Sequence, residues 1–237
     1  MSYVHNVFFD IDGTIWNTTD VVAKGWQRAV DETGYSKVKI TGDLLKKEFG
    51  LPMNIIADHV FTDLDDEKKK AELLELCCKY EHEELVNCKK DLSYEGIVEE
   101  IDKLFDKGGY QMFVVSNCQK GYIELMLDKL GIRYCFNDFL CFGDTGRAKG
   151  ETMRALINRW MIYGDESVYI GDTAGDKEAA EFNDARFIYA SYGFGNLEGE
   201  EYSVSSPSEI YDLIESINEK EKQRNVESYS RMKGWTE

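Results

Sequence analysis

The stretch VFFDIDGTIWN, Val7–Asn17, decides how the rest of the chain is read. Three apolar residues run straight into two carboxylates, Asp10 and Asp12, and then into a Gly13-Thr14 turn. A strand that needed only burial would not end on two negative charges, because an unpaired buried carboxylate is costly. Seen alone, the pattern also suits a solvated turn, with Asp side chains bonding local backbone and Gly13 supplying a positive φ. What stands at the ends of the other strands decides between the two readings.

Short apolar runs recur at Val4–Phe9, Gln111–Val115, Phe139–Phe142, Val168–Ile170 and Phe187–Ala190. They are continuous rather than alternating, which predicts strands covered on both faces. Helical patterns lie between them. Ile97, Ile101, Leu104 and Phe105 repeat at i, i+4, i+7, i+8, and Ile123, Leu127 and Leu130 at i, i+4, i+7. Glu151–Met161 and Asp176–Phe182 also suit helices. Strands alternating with helices predict βαβ units and a mostly parallel α/β sheet.

One segment breaks the alternation. From Thr18 to about Asn87 the signals are helical only, with stripes at Val22, Trp26, Ala29, Val30 and at Leu73, Cys77, Tyr80. Gly50-Leu51-Pro52 separates helices between the stripes. The expectation is a small helical domain inserted after the first strand. At the C-terminal end, Ser206 and Glu209 form a capping-box pattern around Pro207, ahead of a stripe at Ile210, Leu213, Ile214 and Ile217. The polar tail after Lys220 is expected to fray.

The formal charge of −17 argues against a nucleic-acid partner or an anionic membrane surface. It also means that an anionic substrate needs a local positive centre or a metal. The six cysteines show no CxxC and no zinc-like spacing with the three histidines, so they read as reduced thiols of a cytoplasmic protein. The run from Met1 almost directly into a strand leads us to expect no signal peptide. No apolar stretch approaches the ~20 residues a membrane span requires.

Polar clusters follow four of the strands: Asp10-Ile11-Asp12-Gly13-Thr14, then Ser116-Asn117, then a loop carrying Lys149, then Gly171-Asp172-Thr173-Ala174-Gly175-Asp176. Each alone has an ordinary reading as a turn, a helix cap or a solvated helix start. In open α/β sheets, however, ligands bind at the carboxyl ends of strands, so the four clusters would converge on one crevice. Two carboxylates ~4 Å apart repel by roughly 4 kcal/mol at an effective dielectric of about 20. A third, Asp172, makes a cation necessary. Oxygen donors without a nearby His or Cys favour Mg²⁺, which binds together with substrate phosphate. Lys149 and Ser116 would then donate to the phosphate oxygens, facing attack on phosphorus by Asp10.

In that order and spacing the clusters resemble the four motifs of the haloacid dehalogenase superfamily, over a core from Val4 to about Gly195. The inserted helices and the segment GIVEEIDKLFDKGGYQMFVVSN resemble its phosphoglycolate-phosphatase-like branch. The resemblance implies a Rossmann-like parallel sheet core, residues 1–17 and 88–237, with an α-helical cap domain at 18–87. It implies a Mg²⁺-dependent phosphatase acting on a small phosphorylated metabolite of the phosphoglycolate kind, as a monomer or homodimer. Asp10 would be the nucleophile and form an aspartyl-phosphate, and Asp12 the acid and then the base. Mg²⁺ would be held by Asp10, the Asp12 carbonyl and Asp172, with Asp176, Gly13 and Thr14 in support. Ser116, Asn117 and Lys149 would hold phosphate.

Three departures bear on substrate access. Members of the branch often carry an Asp-Ser-like pair where this chain has Trp16-Asn17-Thr18, and a Pro where it has Gly150 or Glu95. A phosphomutase is the alternative, with Lys24, Arg28, Lys46 and Lys47 as its candidate cap cations. A phosphoacceptor signalling module ranks lower, because of the helical insertion and the second Asp.

Overall fold

The computed structural model describes residues 2–233. Strand β1 (Asn6–Phe9) is followed by four helices, α1 (Thr19–Thr33), α2 (Gly42–Lys46), α3 (Met53–Val60) and α4 (Glu67–Asn87). Helices and strands then interleave: α5 (Ile97–Lys103), β2 (Gln111–Ser116), α6 (Tyr122–Leu130), β3 (Asp138–Cys141), α7 (Phe142–Thr145), α8 (Lys149–Trp160) and β4 (Ser167–Gly171). After these come α9 (Ala174–Phe182), β5 (Arg186–Ala190), β6 (Ser203–Val204) and α10 (Ile210–Lys233).

The strands form one parallel sheet in the order β3-β2-β1-β4-β5-β6. Strand β1 is central because it is apolar on both faces. Val7 and Phe9 face a core that includes Ile101, Ile123 and Ile214, while Phe8 faces Phe113, Met153, Leu156 and Tyr169. Burying side chains of this size contributes about 1.5–3 kcal/mol each. The chain order reverses at β1, and a crevice opens where flanking connections diverge. The register then delivers the polar clusters to it: Phe9 lies opposite Val114 on β2 and Ile170 on β4. Asp10 and the ends of both neighbours therefore emerge together.

Within the insertion, α1 and α4 pack closely, and Gly25 marks the tightest approach. A Cβ there would lie 2.6 Å from the Glu81 amide nitrogen, so only glycine lets the two helix backbones meet. Trp26 and Phe61 stack beside the crossing, ring centroids 5.8 Å apart. Trp26 and Tyr80 are buried, as their stripes predict.

Several sequence expectations change. Phe105 is 40% exposed rather than part of the α5 stripe. The helix gives way to a single π turn at Leu104–Gly108, which puts the side chains one residue out of phase. The third strand ends at Cys141, and Phe142 opens α7. Ser206 does not cap its helix; Glu209 instead accepts from the Ser205 amide at 2.7 Å and hydroxyl at 2.9 Å. The tail beyond Lys220 continues as helix to Lys233. Its anchor is buried Glu221, paired with Arg186 on β5 at 3.6 Å and Arg224 at 2.9 Å. Strand β6 is only two residues long, too short for hydrophobic patterning to reveal. No helix among the described residues is long and apolar enough to cross a membrane.

Candidate active site

Asp10 leaves the end of β1 with its amide donating to the Ile170 carbonyl at 2.9 Å, so the sheet itself sets its position. It is 1% exposed. Lys149, at the start of α8, donates from Nζ to Asp10 Oδ1 at 2.9 Å and to Asp176 Oδ1 at 2.6 Å. Burial pushes the Asp10 carboxyl up, and the negative charge of Asp176 adds to this while Lys149 opposes it. The two carboxylates hold the buried ammonium well above the ordinary lysine range, although burial alone would lower it.

The turn after Asp10 closes by a Gly13 amide to Trp16 carbonyl bond at 3.0 Å. Gly13 has φ +87°, and a Cβ on it would fall 2.1 Å from Asp172 Oδ2. Glycine is therefore required twice, for the backbone conformation and for the neighbouring carboxylate. Asp12 Oδ1 accepts from the Tyr122 hydroxyl at 2.7 Å and from Thr18 Oγ1 at 3.1 Å. Burial pushes its carboxyl up to about 7, a value suited to moving protons near neutrality.

Asp172 follows β4 directly and is fully buried; its Oδ2 accepts from the Phe194 amide at 2.6 Å and the Gly195 amide at 3.3 Å. Asp176 caps α9, its Oδ2 taking the Thr173 amide (2.9 Å), the Thr173 hydroxyl (2.7 Å) and the Asp172 amide (3.1 Å). Ser116 is buried at the end of β2, where its Oγ accepts from the Cys118 amide at 3.3 Å. Asn117 donates from Nδ2 to the Gly50 carbonyl of the insertion at 2.7 Å. Thr14 is fully buried and the Tyr192 hydroxyl donates to its carbonyl at 3.0 Å.

Ligand atoms of Asp10, Asp172 and Asp176 come within 4.8 Å of one another. Asp10 Oδ2 and Asp172 Oδ1 are buried and have no hydrogen-bond partner. Both oxygens of Asp176 are engaged. This donor set suits a hard divalent cation held by Asp10 and Asp172, with Asp176 behind them.

Asp10, Asp12, Ser116 and Asn117 line one small space, and Lys149, Asp172, Asp176 and Gly13 adjoin it through Asp10 and Asp172. Tyr122, Thr18 and the Phe194–Gly195 amides were missed. Glu81 was also missed, although a carboxylate four residues after Cys77, on the apolar stripe of α4, was the available signal. Exposed His59 pairs with Glu48 at 2.7 Å.

The sequence profile of the haloacid dehalogenase-like hydrolases matches residues 7–190, from β1 through β5. The chain belongs to this family. It is thus an enzyme of the hydrolase class. It is similar to the phosphoglycolate phosphatase of Aquifex aeolicus, 25% identical over 215 residues, covering 89% of this chain and 96% of the relative. A Haemophilus somnus structure described as a predicted phosphoglycolate phosphatase has a TM-score of 0.78 at 18% identity, covering 90% of this chain and 99% of the other. The β-phosphoglucomutase of Clostridium difficile has a TM-score of 0.73 at 16% identity, covering 90% and 98%. These two structural likenesses are of fold.

Proposed function

We propose that this hydrolase is a Mg²⁺-dependent phosphatase that cleaves small phosphate monoesters through an aspartyl-phosphate on Asp10. The observation that carries the reading is the pair of buried, unpartnered oxygens, Asp10 Oδ2 and Asp172 Oδ1, facing one crevice beside the protonatable Asp12. Asp10 and Asp172 carboxylates and the Asp12 backbone carbonyl would hold Mg²⁺, whose charge offsets that of the phosphate and of the clustered carboxylates.

Asp10 attacks phosphorus while the ester P–O bond breaks, and Asp12 gives its proton to the departing alkoxide. Asp12, now a carboxylate, takes a proton from water as the water attacks the aspartyl-phosphate, freeing Asp10 and inorganic phosphate. Tyr122 and Thr18 keep Asp12 aimed through both steps. Lys149 has three N–H donors, two of them engaged by Asp10 and Asp176, and the third is available to a phosphate oxygen. Ser116 and Asn117 supply further donors. General acid–base help of this kind is worth about 10²–10⁴-fold. The remainder comes from charge neutralisation in a site closed to water.

Residues 18–87 act as the cap. Phe49, Met53, Ile56 and Glu81 of this segment meet Asp10, Asp12 and Ser116 around a space of only about 30 Å³, room for about one or two waters. A substrate therefore enters when cap and core part, and the Asn117–Gly50 bond is one contact that must break. A phosphomutase is the second reading: of its candidate cap cations, Lys24 and Arg28 line a separate groove, while Lys46 lies over the Phe194 ring, 5.4 Å from its centroid, next to the amide that holds Asp172. Phosphate release from a panel of esters with Mg²⁺, with EDTA and with Asp10→Asn tests the reading. Metal-dependent release abolished by the mutation is expected; release unaffected by the mutation, or none from any ester, overturns it.

A further inference from the structure

Glu81 is the one charged side chain that the helical insertion contributes to the enclosed space over Asp10 and Asp12 among the described residues. It is 3% exposed. Trp26 Nε1 donates to its Oε2 at 2.8 Å, and Gln119 Nε2 donates to Oε1. Both partners are neutral, and no lysine or arginine lines the space. Lys79, two residues away, lies over the Tyr80 ring, 5.4 Å from its centroid; Arg28 pairs with Glu83 at 2.8 Å, and Lys46 lies over the Phe194 ring, 5.4 Å from its centroid.

The position of this carboxylate is built, not incidental. The Gly25 crossing presses the α1 backbone against α4 at Tyr80 and Glu81. Trp26 on α1 then holds one oxygen and Gln119 on the core the other. A buried carboxylate without a counterion is retained at a cost to stability, and burial pushes Glu81 up to about 7. A carboxylate has about four lone-pair sites, of which two are filled here. The rest can accept from a donor entering the space between Glu81 and Asp12, where the leaving group must lie.

We propose that Glu81 selects the leaving group, accepting a hydrogen bond from a hydroxyl or ammonium group on the departing alcohol and excluding alcohols that end in a carboxylate. The substrate class is then polyol or amino-alcohol phosphate monoesters. This rests on the phosphatase reading above and narrows it away from phosphoglycolate, whose carboxylate would meet Glu81 with no cation to separate them. Like-charge juxtaposition of this kind costs an interface heavily, and a site built around an acceptor discriminates by the donor offered to it.

The test is kcat/KM with Mg²⁺ for glycerol 3-phosphate, phosphoethanolamine and 2-phosphoglycolate, for the wild type, Glu81→Gln and Glu81→Asp. The wild type should prefer at least one of the first two over phosphoglycolate by about a hundredfold or more. The two favoured candidates separate a hydroxyl donor from an ammonium donor. Glu81→Gln should shrink the preference at least tenfold, mainly through KM, and Glu81→Asp should restore part of it. Phosphoglycolate turned over as well as the other two by the wild type would overturn the proposal even if Glu81→Gln failed to fold. So would an equal loss on all three esters in Glu81→Gln, the mark of a purely structural residue. Either result leaves the phosphatase reading standing. Absence of release from every ester of the wider panel overturns both.

Discussion

The Tyr122 hydroxyl donates to Asp12 Oδ1 at 2.7 Å, joining residues 110 positions apart. Thr18 Oγ1 lies 2.9 Å from the same hydroxyl and also reaches Asp12, so the proposed acid is held from both the cap entrance and the core. Hydrogen bonds to the ionised form lower the Asp12 pKa against the larger effect of burial. Tyr122→Phe should reduce kcat about tenfold, the equivalent of one hydrogen bond to a charged group. It should also move the alkaline limb of the kcat–pH profile to higher pH, because Asp12 would keep its proton longer. A profile that falls uniformly without shifting would show that Tyr122 acts only through packing.

Metal-free stability should depend on pH in the acid-favoured direction. Burial raises Asp10, Asp12, Asp172 and Glu81 above their ordinary values near 4. The folded state therefore binds more protons than the unfolded state from about pH 4 to at least 7. That stability is present in full on the acid side and lost as pH rises through the folded values. Thermal melts in EDTA should fall between pH 5 and 8, and Mg²⁺ should recover much of the loss at pH 8. Asp172→Asn should flatten the EDTA slope and weaken the Mg²⁺ response.

Lys149 is the counterion for two buried carboxylates. Removing one partner of a buried pair typically costs about 3–5 kcal/mol, because the other charge is left uncompensated. Lys149→Met should lose stability on that scale at pH 7.5 in urea unfolding, and the loss should shrink at pH 5, where protonation of Asp10, whose carboxyl burial pushes up, relieves part of the uncompensated charge. Activity should be lost at both pH values.

At the helix crossing, Gly25→Ala places a methyl 2.6 Å from the Glu81 amide nitrogen. Overpacking at a backbone contact costs about 1–3 kcal/mol. The melting temperature should drop, and because α4 must move away, KM should rise more than kcat falls.

Much of this molecule is legible in order along the chain. Continuous apolar runs followed by Asp10, Ser116 and Asp172 pointed to strands buried on both faces with polar groups at their ends, so the α/β class and the clustered motifs followed from local chemistry. Legibility failed where several partners compete locally and where the partner is distant. Glu209 turned to Ser205 instead of Ser206, and Glu221 found Arg186 on a neighbouring strand, contacts that no periodicity encodes.

The sequence by itself determined which groups could do chemistry, because a residue's acidity, charge and donor capacity are written in its type and its strand-end position. Tertiary structure alone decided how they are paired and what faces them. Only the parallel register brings Lys149 between Asp10 and Asp176, and only the α1–α4 crossing turns Glu81 from a stripe residue toward the reacting centre. Burial and charge proximity depend on distances across the fold, so the acidity of Asp12 and the character of the leaving-group pocket exist only once the chain has closed on itself.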